Sequence, residues 1–278
     1  MPRMRILLSN DDGVDAPGLA ALREAVDDMG DVEVVAPASP QSAAGHAITL
    51  TQPLTVRKVK LRGGVYDALS VDGRPADCVR LAIRTLLDRQ VDLVIAGINA
   101  GANVGVNVFY SGTVAAAAEA AMLGIPAVAM SAVVADRPNL PAAGKQASLA
   151  GFAAIARLCR WVLGELVEAG LASGDLINVN IPPLGGPPEG GAPRGVAVVP
   201  QSTAEIEDAY HPEVVAGGLD AFRLSDNYRF SADQANTDVV RLAEGYVTVT
   251  PLHVDMTNHD RLGALARRKW PACPADRS

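Results

Sequence analysis

The sequence predicts an α/β fold, a doubly wound and mostly parallel sheet with a smaller strand-rich C-terminal extension, and three observations carry that prediction. Short apolar runs alternate with stretches of helical spacing, so that strand, helix and strand recur within about 35 residues, the rhythm of a βαβ unit. Clusters of small polar residues stand at the ends of these runs, at Asp11-Asp12-Gly13, 37–46, 97–105 and 110–113. Ligands of open α/β sheets bind at such strand ends. A Pro/Gly-rich segment, residues 182–195, then breaks the rhythm.

In chain order, residues 4–10 read as a first strand ended by turn formers. Residues 16–30 follow as a helix, with Leu19, Leu22 and Val26 at helical spacing and a closing glycine, and 31–38 as the second strand. Residues 48–61 and 65–73 are rich in β-branched side chains with no helix between them, which predicts an antiparallel insertion or edge. The alternation resumes with a helix over 75–88, a strand over 91–99, a helix over 112–124 and a strand over 126–134. A long amphipathic helix over 145–169 and a buried strand over 176–182 complete it. Residues 182–195 can be neither helix nor central strand, so they mark a boundary between 1–185 and 186–278. Beyond it, 196–202, 228–231 and 245–252 are strand-like, and 258–270 reads as a C-terminal helix.

A chain of 278 residues that is 49% hydrophobic buries a substantial core. A formal charge of −7 and a pI near 5.1 argue against a protein that coats nucleic acid or an anionic membrane. An anionic substrate would need a local cation. The apolar run from Ile6 to Leu8 falls short of a signal-peptide core, and charged residues break every longer apolar segment, so the expectation is a cytoplasmic protein. Cys78, Cys159 and Cys273 are widely spaced and lack C-x-x-C pairing, which predicts inert thiols rather than disulfides or a zinc site.

Asp11 and Asp12 are hard oxygen donors placed at a ligand-binding strand end, where a divalent cation between them relieves their repulsion. The competing reading, an Asp capping the next helix, explains one of them. Asn99, Asn103 and Asn107 recur every four residues in a glycine-rich loop; asparagine offers both an oxygen and N–H donors, although Asn/Gly turns are also common. Ser111, Gly112 and Thr113 open an alanine-rich helix and fit an anion-binding helix start or a simple Ser/Thr cap, two compatible roles. The glycine spacing satisfies neither the dinucleotide fingerprint nor the P-loop, and no G-x-S-x-G or H-E-x-x-H is present. Among four scattered histidines only His46 falls in a loop expected to reach the site.

The segments ILLSNDDGVDAPGL, VVAPASPQSAAGHAITLT, PADCV, DLVIAGINAGANVG, YSGTVAAAAEA, INVNIP and TDVVRLAEGYVTVTPLHVD, in that order from residue 4 to about 270, resemble the SurE family, the survival protein E nucleotidases. The resemblance implies a Rossmann-like catalytic domain over 1–185 and a smaller strand-rich part over 186–278 that makes homodimer or homotetramer contacts. It implies a metal-dependent phosphomonoesterase acting on nucleoside 5′- and 3′-monophosphates, in some members also on short polyphosphate. One divalent cation, Mg²⁺ or Mn²⁺, would be held by Asp11, Asp12, Ser42 and Asn99. Asn99, Asn103, Ser111, Gly112 and Thr113 would meet the substrate, with Asp11 and Asp12 as the catalytic pair.

The chain departs from the family pattern at the SAAG loop, at Arg74 in place of a small polar residue, and at Asn107 where an aspartate is common; these changes bear on substrate preference. The expected chemistry is attack of a water activated by the cation, because ligation makes the two aspartates poor nucleophiles for an aspartyl-phosphate route. A phosphatase for a non-nucleotide ester and a non-catalytic nucleotide-binding protein are the alternative readings.

Overall fold

The computed structural model describes residues 3–61, 64–134, 149–184, 191–214, 220–224, 229–230 and 234–270. The strands are β1 (Met4–Ser9), β2 (Gly30–Pro37), β3 (Val56–Leu61), β4 (Tyr66–Val71), β5 (Leu93–Ala100), β6 (Ala127–Ala132), β7 (Leu176–Ile181), β8 (Val196–Val198), β9 (Ile206–Glu207), β10 (Tyr210–Val214), β11 (Asp220–Leu224), β12 (Arg229–Phe230) and β13 (Val247–Leu252). The helices are α1 (Pro17–Ala25), α2 (Pro75–Leu81), α3 (Gly112–Met122), α4 (Leu149–Ala169), α5 (Asp238–Ala243) and α6 (His259–Ala266).

Nine strands form one sheet in the order β3-β4-β2-β1-β5-β6-β7-β13-β8. The strands from β4 to β7 run parallel to one another, as the alternation predicts. The residues expected to form an antiparallel edge do so as β3 against β4. Alternate residues of β1 serve opposite faces: Ile6 and Leu8 join a core with α1 and α4, and Leu7 joins one with α2 and α3. Burying each such side chain stabilises the fold by roughly 1.5–3 kcal/mol. β1 lies between β2 and β5, so the chain winds outward in both directions from that point. The crevice beyond the ends of β1 and β5 is therefore the place where this topology puts a ligand.

Two helix boundaries differ from the sequence reading, and one lies outside the described residues. Helix α1 stops at Ala25 because Val26 and Met29 close a turn, and Gly30 opens β2 rather than ending the helix. The predicted helix over 75–88 is α2 followed by a wider π turn from Ala82 to Leu86, in which Leu87 N–H donates to Ala82 C=O. The start of the expected helix over 145–169 lies outside the described residues; α4 is described from Leu149.

The sheet also runs on past residue 186. Strand β13 pairs antiparallel with β7, and β8 pairs with β13. Beyond the sheet, β10 and β11 form a hairpin that exposes Tyr210, Val214 and Phe222, and α6 buries none of its residues. Among the described residues no helix is long and apolar enough to cross a membrane. Cys78 and Cys159 are buried, and burial pushes the Cys159 thiol up to about 12; Cys273 lies outside the described residues.

Candidate active site

Asp11 and Asp12 leave the end of β1 at the point of strand-order reversal. Neither caps α1: the cap position is Ala16 and the first helical residue is Pro17. The capping account of the pair therefore fails. Asp11 is buried, and its Oδ1 accepts a 2.5 Å hydrogen bond from Thr113 Oγ1 in the first turn of α3. Burial, then the Asp12 charge, pushes the Asp11 carboxyl up to about 6, against the Thr113 hydrogen bond that favours the ionised form.

Gly112 allows this approach. A Cβ there would sit 2.7 Å from Asp11 Cβ, 3.0 Å from Asp11 Oδ2 and 3.1 Å from Pro75 Cγ. Ser111 caps α3 by accepting Val114 N–H at 3.0 Å. The Thr113 side chain is fully buried. Cap and anion-facing turn thus share one structure, with Thr113 turned toward Asp11.

The loop after β2 reaches the pair through Gln41 N–H, which donates to Asp11 C=O at 2.7 Å and places the exposed Ser42 beside it. The loop's far end is held by Gly45 N–H on Tyr110 C=O (3.1 Å) and by His46 Nε2, 2.8 Å from Glu119 Oε2 of α3. Glu119 is buried and also pairs with Arg80 Nε at 2.7 Å. His46 is thereby a fastening of the Ser42 loop. Arg74 stands half-buried at the start of α2, one residue before the Pro75 that abuts Gly112.

Asn99 sits where β5 slips register against β6, between Gly97 and Asn99. Gly97, at φ +140°, lets the two strands close in, since a Cβ there would collide with Met130 C=O. Asn99 Nδ2 donates to Gly101 C=O at 2.8 Å, which leaves Oδ1 as its donor atom for a cation. The adjacent Ala100 N–H donates to Asp12 Oδ2 at 3.4 Å. Asn103 is buried, with Nδ2 donating to Ser131 Oγ at 2.8 Å. Asn107 lies in a short 3₁₀ turn, Gly105–Phe109, and its C=O accepts Tyr110 N–H.

Loops from three strand ends and one helix start thus converge on Asp11 and Asp12. Among the described residues no three His, Cys, Asp or Glu side chains gather in a metal-sized cluster. A cation here must use two carboxylates with neutral oxygens, a set suited to a hard ion that keeps several waters. A buried Asp11 beside the half-buried, like-charged Asp12 fits such an ion.

Sequence reasoning missed Asp238. It is fully buried in α5 and accepts from Gly105 N–H (2.9 Å), Ser202 N–H (2.8 Å) and Val239 N–H (2.8 Å). Burial raises its carboxyl above the ordinary carboxylate range. Gln201 Nε2 adds a hydrogen bond to Gly105 C=O at 2.9 Å.

The sequence profile of the family described as "Survival protein SurE" matches residues 6–208. The chain belongs to the SurE family. A "5'-nucleotidase SurE" of Rhodopirellula baltica is 41% identical over 272 residues, covering 98% of this chain and 100% of that protein. A SurE relative of the same description from Syntrophobacter fumaroxidans is 39% identical, covering 96% and 99%. The crystal structure of the SurE protein from Aquifex aeolicus matches with a TM-score of 0.74 at 34% identity, covering 94% of this chain and 98% of that one. The doubly wound sheet is therefore the SurE fold, extended by the strands from beyond residue 186.

Proposed function

We propose that this chain is a divalent-metal-dependent phosphomonoesterase that hydrolyses nucleoside 5′- and 3′-monophosphates, with short polyphosphate as a further substrate. Its SurE relatives are named 5'-nucleotidases. The observation that carries the reading is a carboxylate pair, a buried Asp11 beside a half-buried Asp12, at the reversal of strand order and packed against the start of α3. In this reading Asp11, Asp12, Ser42 and Asn99 hold one Mg²⁺ or Mn²⁺. When bound, such a cation neutralises the phosphate dianion and activates water for in-line attack on phosphorus.

The protein's own groups then divide the work. Thr113 spends its hydroxyl on Asp11 and so fixes the carboxylate that must face the cation. Val114 N–H is taken by Ser111, so the donors at the start of α3 for a phosphoryl oxygen are the Gly112 and Thr113 N–H groups and the Ser111 hydroxyl hydrogen. In this reading Asn103 supplies an amide as well. Arg74, one residue from the Pro75–Gly112 contact, favours substrates carrying further negative charge. Exposed apolar side chains on α6 and the β10–β11 hairpin support a homodimer or homotetramer, and the acidic composition argues against a nucleic-acid or membrane partner; the protein is read as cytoplasmic.

The test is phosphate release from a panel of nucleoside monophosphates, polyphosphate and sugar phosphates. Release is expected with nucleotides, to stop with a chelator and to return with Mg²⁺ or Mn²⁺. Preference for a sugar phosphate would move the reading to a non-nucleotide phosphatase. No release from any substrate, alongside nucleotide binding, would replace it with a binding protein.

A further inference from the structure

The segment LINVNI of β7 has two asparagines in a central strand buried throughout. Ile177, Val179 and Ile181 point into the core beneath α1 and α4, while Asn178 and Asn180 occupy the other face, both with no exposed surface. Amides in such positions are costly unless paired. Both amides turn to one residue, Asn103, which leaves Asn178 Oδ1 without a hydrogen-bond partner among the described residues. The Asn103 N–H donates to Asn180 Oδ1 at 2.8 Å, and its C=O accepts from Asn178 Nδ2 at 2.7 Å and Asn180 Nδ2 at 3.2 Å. The Asn180 amide so engages both polar groups of Asn103 as a neighbouring strand would, although residues 101–104 belong to no strand.

The side chain of Asn103 is gripped as well. Ser131 Oγ, fully buried in β6, accepts its Nδ2, and Ser131 is the register partner of Asn180. Three polar residues on two adjacent central strands thus hold one loop residue by its N–H, its C=O and its amide nitrogen. The second Nδ2 hydrogen and Oδ1 are what Asn103 has left to offer a ligand. A loop that only needed packing would be met by apolar side chains, which these strands supply everywhere else on their faces.

We infer that Asn178, Asn180 and Ser131 are positioning residues that hold Asn103 in the orientation in which its amide meets the phosphoryl group, setting phosphate affinity without contributing to cation binding. This rests on the phosphatase reading above. The three residues act through Asn103 and touch neither substrate nor cation.

The experiment compares the full-length wild type with S131A, N180D and N178D. Ser131→Ala removes the acceptor of the Asn103 amide and keeps both backbone grips. Asn180→Asp keeps an acceptor for Asn103 N–H and loses a donor; Asn178→Asp sets an oxygen against Asn103 C=O. Inorganic phosphate affinity is measured by calorimetry at saturating Mn²⁺, KM by phosphate release, and cation demand by the Mn²⁺ concentration for half activity. For S131A the expected result is a rise of about five- to tenfold in phosphate Kd and KM, the scale of one hydrogen bond. The Mn²⁺ midpoint should move less than about twofold. N178D should weaken phosphate more than N180D.

Because S131A removes one oxygen and no backbone bond, it decides the matter even if an Asp variant does not fold. Unchanged phosphate Kd and KM in S131A would overturn the inference, as would a Mn²⁺ midpoint rising in step with KM. A wild type that releases no phosphate defeats the phosphatase reading alone, since phosphate Kd still reads the role of Ser131. A wild type that also binds no phosphate defeats both.

Discussion

Replacing Asp11 by Asn should make the metal-free protein more stable while ending its activity. The Asp11 carboxyl, ordinarily near 3.8, is pushed up to about 6 by burial and by Asp12. At about 1.4 kcal/mol per pH unit, holding that group ionised at pH 8 costs the fold about 3 kcal/mol. Asn has the same shape, carries no charge and keeps an acceptor for Thr113. The sign follows from linkage: a raised carboxyl lends stability fully below about 3.8, and that stability is lost as pH climbs through about 6. In chelator at pH 8, D11N should therefore melt roughly 5–10 °C above wild type, and the gap should close toward pH 4. Mg²⁺ or Mn²⁺ at a thousandfold excess over Kd should reverse the order, adding about 4.1 kcal/mol to wild type and almost nothing to D11N. Thermal melts in chelator and in metal, across pH, measure all of this. A D11N protein no more stable than wild type in chelator at pH 8, or one equally stabilised by metal, would refute the reasoning.

Three further outcomes follow from contacts at the same site. Gly112→Ala places a methyl 2.7 Å from Asp11 Cβ, so phosphate release should fall at least about 100-fold with a stability loss of about 1–3 kcal/mol, read by kinetics and a melt. Thr113→Val deletes the hydroxyl that Asp11 accepts; the carboxyl should rise further and half-maximal activity should require several-fold more Mn²⁺. His46→Ala frees the loop that carries Ser42 while Glu119 keeps Arg80, costing about 1 kcal/mol in a denaturant melt and raising the Mn²⁺ midpoint.

The parallel core was legible because each buried strand is an apolar run and each helix has a spaced apolar face, signals that need no tertiary information. The polar clusters at strand ends were legible for the same reason, since Asp11-Asp12 and the Asn99 loop interrupt those runs. The hairpin of β10 and β11 was not: its side chains are exposed on both faces, so no alternation betrays it. Helix α5 is six residues long, too short for periodicity. The partners of His46 and Asp238 stand 73 and 133 residues away, and only the folded chain shows that one fastens a loop and the other a turn. Asn178 and Asn180 were visible as polar residues in an apolar strand, but which loop they hold depends on the order of β6 and β7.

The grip of Asp238 on Gly105 has a consequence for how the protein is made. A chain synthesised from its N-terminus presents Asp11, Asp12, Ser42 and Asn99 to solvent long before Asp238 exists. The Gly105 end of the turn that leads to Ser111 is fastened to Asp238 only when α5 arrives, and β7 acquires its antiparallel neighbour only with β13. An incomplete product released early thus carries Asp11, Asp12, Ser42 and Asn99 without the contact that fastens Gly105.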